Sequence, residues 1–256
     1  MQSNIKRIGL NTVFLIARKI ITIVIAFYST RLLLNRLGED DFGLYGLVGS
    51  IIVLFGALRG LFSSSIQRFL NAAKGKDDTN EINEIFSLGL KIHGWIALIF
   101  IVIVEVGGIF LLPTLNIPKG SENDAFWVFQ FAIFTTATTI LTVPYDAIII
   151  ANERFLTYSV ISIIESLLKL SIIWTLCFFK YDRIVIYAAL YFGITVVVRF
   201  INSAYCQYTF KSMVKYTKTS NPVLLRKMTS FAGWQFLGNT GYALANSGLN
   251  IIINVF

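Results

Sequence analysis

Apolar residues fall along this chain in seven long runs separated by short polar, charge-rich breaks. The runs cover about residues 8–34, 43–70, 86–112, 127–151, 156–179, 184–210 and 229–256. About 20 predominantly apolar residues are enough for a helix to cross the hydrocarbon core of a bilayer, so each run predicts one crossing. The breaks are Glu39-Asp40-Asp41, Lys74 to Glu84, Pro113 to Asp124, Asn152-Glu153-Arg154, Lys180 to Arg183 and Lys211 to Lys227.

Seven crossings and their breaks use nearly all of the 256 residues, which leaves no stretch for a separate soluble domain. Composition agrees. The chain is 55% hydrophobic with a mean hydropathy of +0.70, and only 14% of its residues are charged, where a soluble domain carries about a quarter. The expected class is an all-α polytopic membrane protein. A net charge of +8 invites a nucleic-acid reading, but the cations lie at helix ends and inside helices rather than on a polar face or basic tail, which argues against it. Cys177 and Cys206 fall near opposite ends of neighbouring crossings and are expected to be free thiols. The first run is too long for a cleaved signal peptide, carries Arg18 and Lys19, and lacks a small-residue cleavage site.

Charge asymmetry predicts the orientation. Eleven cations (Lys6, Arg7, Arg68, Lys74, Lys76, Arg154, Lys211, Lys215, Lys218, Arg226 and Lys227) fall on the side of the N-terminus, against four (Arg36, Lys119, Lys180 and Arg183) on the other. The positive-inside rule then places the N-terminus in the cytoplasm. The seventh run is still apolar at Asn254-Val255-Phe256, which fits either a short bare terminus outside or, the favoured expectation, the front part of a longer chain.

Several runs carry charge inside them, and a charge at mid-membrane costs roughly 2.5–3.5 kcal/mol on insertion scales. At 100° per residue the polar positions gather on common faces. Asn11, Arg18, Thr22, Ser29 and Arg36 fall within about 40° on the first helix. Gly49, Gly56, Gly60, Ser63, Gln67 and Asn71 share a face of the second, with Arg59 at its edge. The fourth offers Thr135, Thr138, Thr139, Thr142 and Asp146; the fifth, Ser159, Ser162, Glu165, Ser166 and Lys169. Tyr191, Thr195, Arg199, Asn202 and Cys206 align on the sixth, and Gln235, Asn239, Tyr242, Asn246 and Asn250 on the seventh.

Small and hydroxyl residues on one face also serve helix packing, and Gly56-x-x-x-Gly60 fits a close helix contact as well as a pore wall. Packing does not call for Arg18 or Arg199, however, and repeated buried cations suggest a hydrated path for something anionic. Glu165 and Lys169 have the i,i+4 spacing of an ion pair, which either neutralises two buried charges or holds a carboxylate linked to a coupling ion. Glu105 is expected to stand alone and reach the headgroups, and His93, the one histidine, to sit at the interface. Pro144 predicts a kink whose freed carbonyl is absorbed near Thr142. Asp77-Asp78 reads as a solvated turn, and no grouping predicts a metal site.

Three segments carry a resemblance. Arg31-Leu-Leu-Leu-Asn-Arg-Leu-Gly38, Asp41-Phe-Gly-Leu-Tyr-Gly46, Leu58 to Ser65 and Gln67-Arg68-Phe69 make up the first; Val143-Pro-Tyr-Asp-Ala147 running to Ala151-Asn-Glu-Arg-Phe155 is the second; Gly233-Trp-Gln-Phe-Leu-Gly238 is the third. In order and spacing the chain resembles the Wzx-type polysaccharide-biosynthesis flippases of the multidrug/oligosaccharidyl-lipid/polysaccharide exporter superfamily. The resemblance implies a MATE-like exporter fold of two six-helix lobes that rock between inward- and outward-open states. Residues 1–210 would be the first six-helix lobe, 211–228 a basic inter-lobe linker and 229–256 the first helix of a second lobe.

It further implies a bacterial inner-membrane location and an isoprenoid-pyrophosphate-linked oligosaccharide as substrate. Membrane lipids, and a polysaccharide polymerase of the same pathway, would be its partners. Arg18, Arg59, Arg199 and Lys169 are then the candidates for the pyrophosphate, since guanidinium donors match phosphate oxygens in pairs. Asn11, Thr22, Gln67, Asn202, Asn239 and Asn246 are candidates for the sugars. Glu165 and Asp146 are candidates for coupling to H+ or Na+, with no other cofactor and no covalent chemistry. Two rivals stand beside this expectation. A cation-coupled drug exporter of the same fold would want acidic cavity residues. An intramembrane transferase would want paired carboxylates or a histidine at the membrane surface.

Overall fold

The computed structural model describes residues 2–114, 117, 120–179, 182–218 and 221–235, with side-chain detail outside 2–8, 47–63, 111 and 114. Helices make up all the regular structure among the described residues: α1 (Gln2–Leu37), α2 (Glu39–Gly75), α3 (Thr79–Leu111), α4 (Glu122–Leu141), α5 (Val143–Ala151), α6 (Phe155–Thr175), α7 (Arg183–Thr209) and a last segment, α8, described over 222–235. Among the described residues, five spans are long and apolar enough to cross a membrane: Gly9–Leu37, Thr79–Phe110, Glu122–Ala151, Phe155–Phe178 and Arg183–Thr209. Their outer faces suit lipid. Val24, Phe27, Trp95, Val102, Ile109 and Phe200 are all at least half exposed.

The helices overrun the apolar runs, because a helix continues through polar residues where hydropathy marks only the lipid-facing part. At 1.5 Å per residue, the 36 residues of α1 reach about 54 Å. Glu39, Asp40 and Asp41, expected as a loop, form the acidic first turn of α2, where the helix dipole favours them. Gly38, at φ +88°, makes the reversal. Burial pushes the Asp41 carboxyl above its usual range, with Asp124 and Asp40 adding and Arg183 opposing. The turns before α2, α4 and α7 therefore meet at one end of the bundle.

The expected Lys74–Glu84 break shrinks to residues 76–78. Asp77 turns through φ +55°, and Asp78 caps α3 by accepting from the Asn80 and Glu81 amides at 3.0 Å. The last helix starts at 222, seven residues before the expected 229. Pro222 takes its first turn, and the Leu224 amide donates to Asn221 Oδ1 at 3.1 Å.

Pro144 divides one span into α4 and α5. Thr142 Oγ1 donates to the carbonyls of Thr138 at 3.1 Å and Thr139 at 3.2 Å, supplying local partners at the break. Three apolar clusters hold the bundle. Phe86, Ile66, Leu70, Ile148, Cys206 and Met228 join α2, α3, α5, α7 and α8 at the end that carries the N-terminus. Phe100, Val104, Phe129, Ile133 and Ile184 fill the α3–α4–α7 seam, and Leu33, Ile173 and Leu176 tie α1 to α6.

Candidate functional site: a cationic cavity between α1, α6 and α7

A helix with an apolar majority still turns a polar stripe somewhere, and on α1, α6 and α7 the stripes face one another. Ser159 Oγ donates to the Phe14 carbonyl at 3.3 Å, setting α6 alongside α1. Above that contact opens a cavity of 460 Å³ whose lining includes Arg18, Lys19 and Thr22 of α1, Glu165 and Lys169 of α6, and Arg199 of α7.

One carboxylate on α6 organises the charges. Lys169 Nζ donates to Glu165 Oε1 at 2.7 Å, the pair predicted by the i,i+4 spacing. Arg199 donates through Nη2 to the other oxygen, Glu165 Oε2, and its Nη1 lies 3.5 Å from Asp146 Oδ2 of α5. Asn202, one turn along α7 from Arg199, donates to Asp146 Oδ1. Arg199 is 9% exposed, Asp146 4% and Asn202 1%. Such a buried network holds because each charge has a partner, Lys169 within α6 and Arg199 across the boundaries to α5 and α6. Arg199, expected to meet a pyrophosphate, is bonded through both terminal nitrogens to carboxylates, and its Nε has no hydrogen-bond partner.

Arg18 is held differently. Its guanidinium carbon lies 4.6 Å from the centre of the Tyr158 ring, and its Nε has no hydrogen-bond partner. Lys169 is also over a ring, with Nζ 4.0 Å from the centre of Tyr191. An aromatic face attracts a cation without using up its N–H donors, so Arg18 presents donors to the cavity. Counting Asp146 behind the wall, the site sets four cations (Arg18, Lys19, Lys169 and Arg199) against two carboxylates. The surplus is positive, in an apolar bundle where charges act strongly.

Thr22, Ser166, Lys169 and Tyr191 also line a second cavity of 380 Å³, which continues toward Tyr45 and Tyr187. Those rings stack edge to face, Tyr45 on Tyr187 at 5.2 Å, with Tyr187 6.0 Å from Tyr191.

The predicted site residues thus divide. Arg18, Lys169, Arg199, Thr22, Asn202 and Glu165 come together at the first cavity, with Asp146 in contact through Arg199 and Asn202. Asn11 and Gln67 do not line it. Arg59, Asn239 and Asn246 lie outside the residues whose side chains are described. The same holds for Gly49, Gly56, Gly60 and Ser63 of the second stripe and Tyr242 and Asn250 of the seventh.

Other expectations change. The α4 threonine stripe is no open polar wall: Thr135, Thr138, Thr139 and Thr142 donate to carbonyls of their own helix. Glu105 does not stand alone, since Gln130 Nε2 donates to it at 3.1 Å. His93 is buried, at 1% exposed, and its Nδ1 donates to the Gly89 carbonyl at 2.9 Å. Cys177 and Cys206 are free thiols, as expected. Sequence reasoning missed Tyr158 and Tyr191 as cation platforms, although both fall on helices whose polar stripe was already drawn. Comparison with protein-family models, curated proteins and solved structures returns no match, so the site is read from its own geometry.

Proposed function

We propose that the chain is the first six-helix lobe, with the opening helix of a second, of a MATE-like flippase. It would turn an isoprenoid-pyrophosphate-linked oligosaccharide across the bacterial inner membrane by alternating access, with the N-terminus cytoplasmic. In this reading α2 is the sixth crossing beside the five apolar spans, and the segment between α7 and α8 joins the lobes. The observation that carries the proposal is the positive surplus of a polar cavity set inside an apolar bundle. The substrate's tail stays in lipid, its pyrophosphate meets Arg18 and Lys169, and Thr22 and Asn202 face the sugars. Arg199 acts as a positioning residue that fixes Glu165 and, through it, Lys169.

A second reading, a cation-coupled drug exporter of the same superfamily, is favoured by the buried acids Asp146 and Glu165. Deleting the gene in its host and extracting the polyprenyl-linked glycans separates the two. Accumulated lipid-linked oligosaccharide with loss of surface glycan supports the flippase; a normal glycan surface with new sensitivity to cationic drugs supports the exporter. Within the flippase reading, Arg18→Ala should abolish complementation while costing about 1 kcal/mol of stability or less, the size of one cation–π contact. Arg18→Lys should restore part of the flux, and full activity of the alanine variant would sink the anion site.

A further inference from the structure

A groove of 780 Å³ lies at the other polar feature of the fold, where α2 meets α8. We propose that it binds the headgroup of an anionic phospholipid of the surrounding membrane. Arg68 enters from α2, two residues before the apolar run ends at Leu70, which puts its head at the level where that run gives way to polar chain. Its guanidinium carbon lies 4.2 Å from the centre of the Phe231 ring of α8, a contact that orients the group and leaves its N–H edges for phosphate oxygens. Arg226 and Lys227 line the same groove one turn or so along α8.

The rest of the lining decides between a lipid and a free anion. Val223, Phe231 and Trp234 face the groove beside those cations, and Val223 and Trp234 are 62% and 72% exposed. A soluble phosphate has no use for that apolar surface. A phospholipid fits both parts, with its phosphate on the cations and its glycerol and upper chains on Val223 and Trp234. Basic pockets between membrane helices, with aromatic rings at headgroup level, recognise lipids in this way.

The negative charge of this end is kept apart. Asp78, Glu81 and Glu84 line a separate cavity of 400 Å³, reached across Lys227, which belongs to both. Arg68 and Arg226 therefore carry the anion selectivity. This inference does not depend on the function proposed above.

The test uses the full purified chain in detergent, titrated with phosphatidylglycerol or phosphatidylcholine and read by native mass spectrometry and thermal shift. Phosphatidylglycerol is expected to bind more tightly and to raise the unfolding temperature. Each surface cation contributes about fivefold, so Arg68→Gln with Arg226→Gln should weaken anionic lipid binding on the order of thirtyfold. Arg226→Gln alone, at an exposed position, should show about a fivefold loss and guards against misfolding of the pair. Lys211→Gln with Lys218→Gln, exposed but off the groove, should change little. Three results overturn the proposal: equal binding of the two lipids, an equal loss in the Lys211/Lys218 control, or displacement of the lipid by millimolar inorganic phosphate.

Discussion

Where α3 packs on α4 the contact is almost wholly apolar. Ala97, Phe100 and Val104 meet Ala125, Phe129 and Ile133, and Gly108 leaves room for the Phe129 ring. Where α5, α6 and α7 meet, Asp146, Glu165, Lys169, Arg199 and Asn202 occupy the interior instead. Lipid tails are as apolar as a leucine side chain, so neither seam is driven together by exclusion from water, and both rely on close packing and hydrogen bonds. The apolar seam, crossed by the Gln130–Glu105 hydrogen bond, shows that this chain can join two helices without an ion pair between them. A buried ion pair is often no more stabilising than well-packed apolar residues of the same volume. The charged seam is therefore not explained by stability, and the cavity it borders is the feature that the apolar seam lacks.

The largest effect should come from breaking the charged seam on one side only. Arg199→Met takes the Arg199 guanidinium from buried Asp146 and from Glu165, which keeps Lys169, and should cost about 3–5 kcal/mol of stability. Adding Asp146→Asn removes the buried carboxylate charge while keeping the Lys169–Glu165 pair, and an amide at 146 still accepts from Asn202. Most of the loss should return, as read by thermal unfolding in detergent. If the double variant recovers stability but not transport, the seam's charges serve the cavity. If the double variant stays as unstable as the single one, the charges hold the fold and the contrast between the seams fails.

A smaller effect tests the apolar seam. A Cβ on Gly108 would lie 2.7 Å from Cζ of Phe129 and closer still to Cε1, so the ring or the α3–α4 spacing must give. Gly108→Ala should cost about 1–3 kcal/mol, as overpacking does. Phe129→Leu in the same chain should relieve part of it. A neutral Gly108→Ala would mean that the seam is loose, and that tight packing is not what distinguishes it.

These two regions were not equally legible in the sequence. The apolar runs predicted the helices, and the i,i+4 spacing predicted Glu165–Lys169, because both are local. The partners of Arg199 were not legible, since Asp146 and Glu165 lie 53 and 34 residues away, and a helical wheel gives a face but not its neighbour. Glu105 was misread for the same reason, because Gln130 comes from the next helix. The start of α8 was legible and was passed over. Asn221-Pro222 is a helix-start signal, but Arg226 and Lys227 made the segment read as a basic linker.

The smallest effect should come from a third kind of contact, polar but uncharged, at the end of the bundle that carries the N-terminus. The segment after α7 is strapped to α3 by Asn83 and Ser87. Asn83 Nδ2 donates to the Ser212 carbonyl at 2.8 Å, and its Oδ1 accepts from the Lys215 amide at 2.9 Å. Ser87 Oγ accepts from the Thr217 amide at 2.9 Å. Asn83 is 6% exposed and Ser87 fully buried, so the strap is bonded to polar groups that water does not reach. Asn83→Ala should cost about 1–2 kcal/mol, from the two lost strap bonds and the local bond to the Thr79 carbonyl, whose backbone partners partly rehydrate. Hydrogen exchange should show the loss as local: the Lys215 amide speeds up while amides in α3 and α4 keep their protection. That outcome would set the strap apart from the Arg199 network, whose rupture is felt throughout the bundle. Faster exchange across α3, α5 and α7 together would instead make the strap part of the same cooperative unit, and the line between charged and uncharged contacts would no longer separate global from local stability.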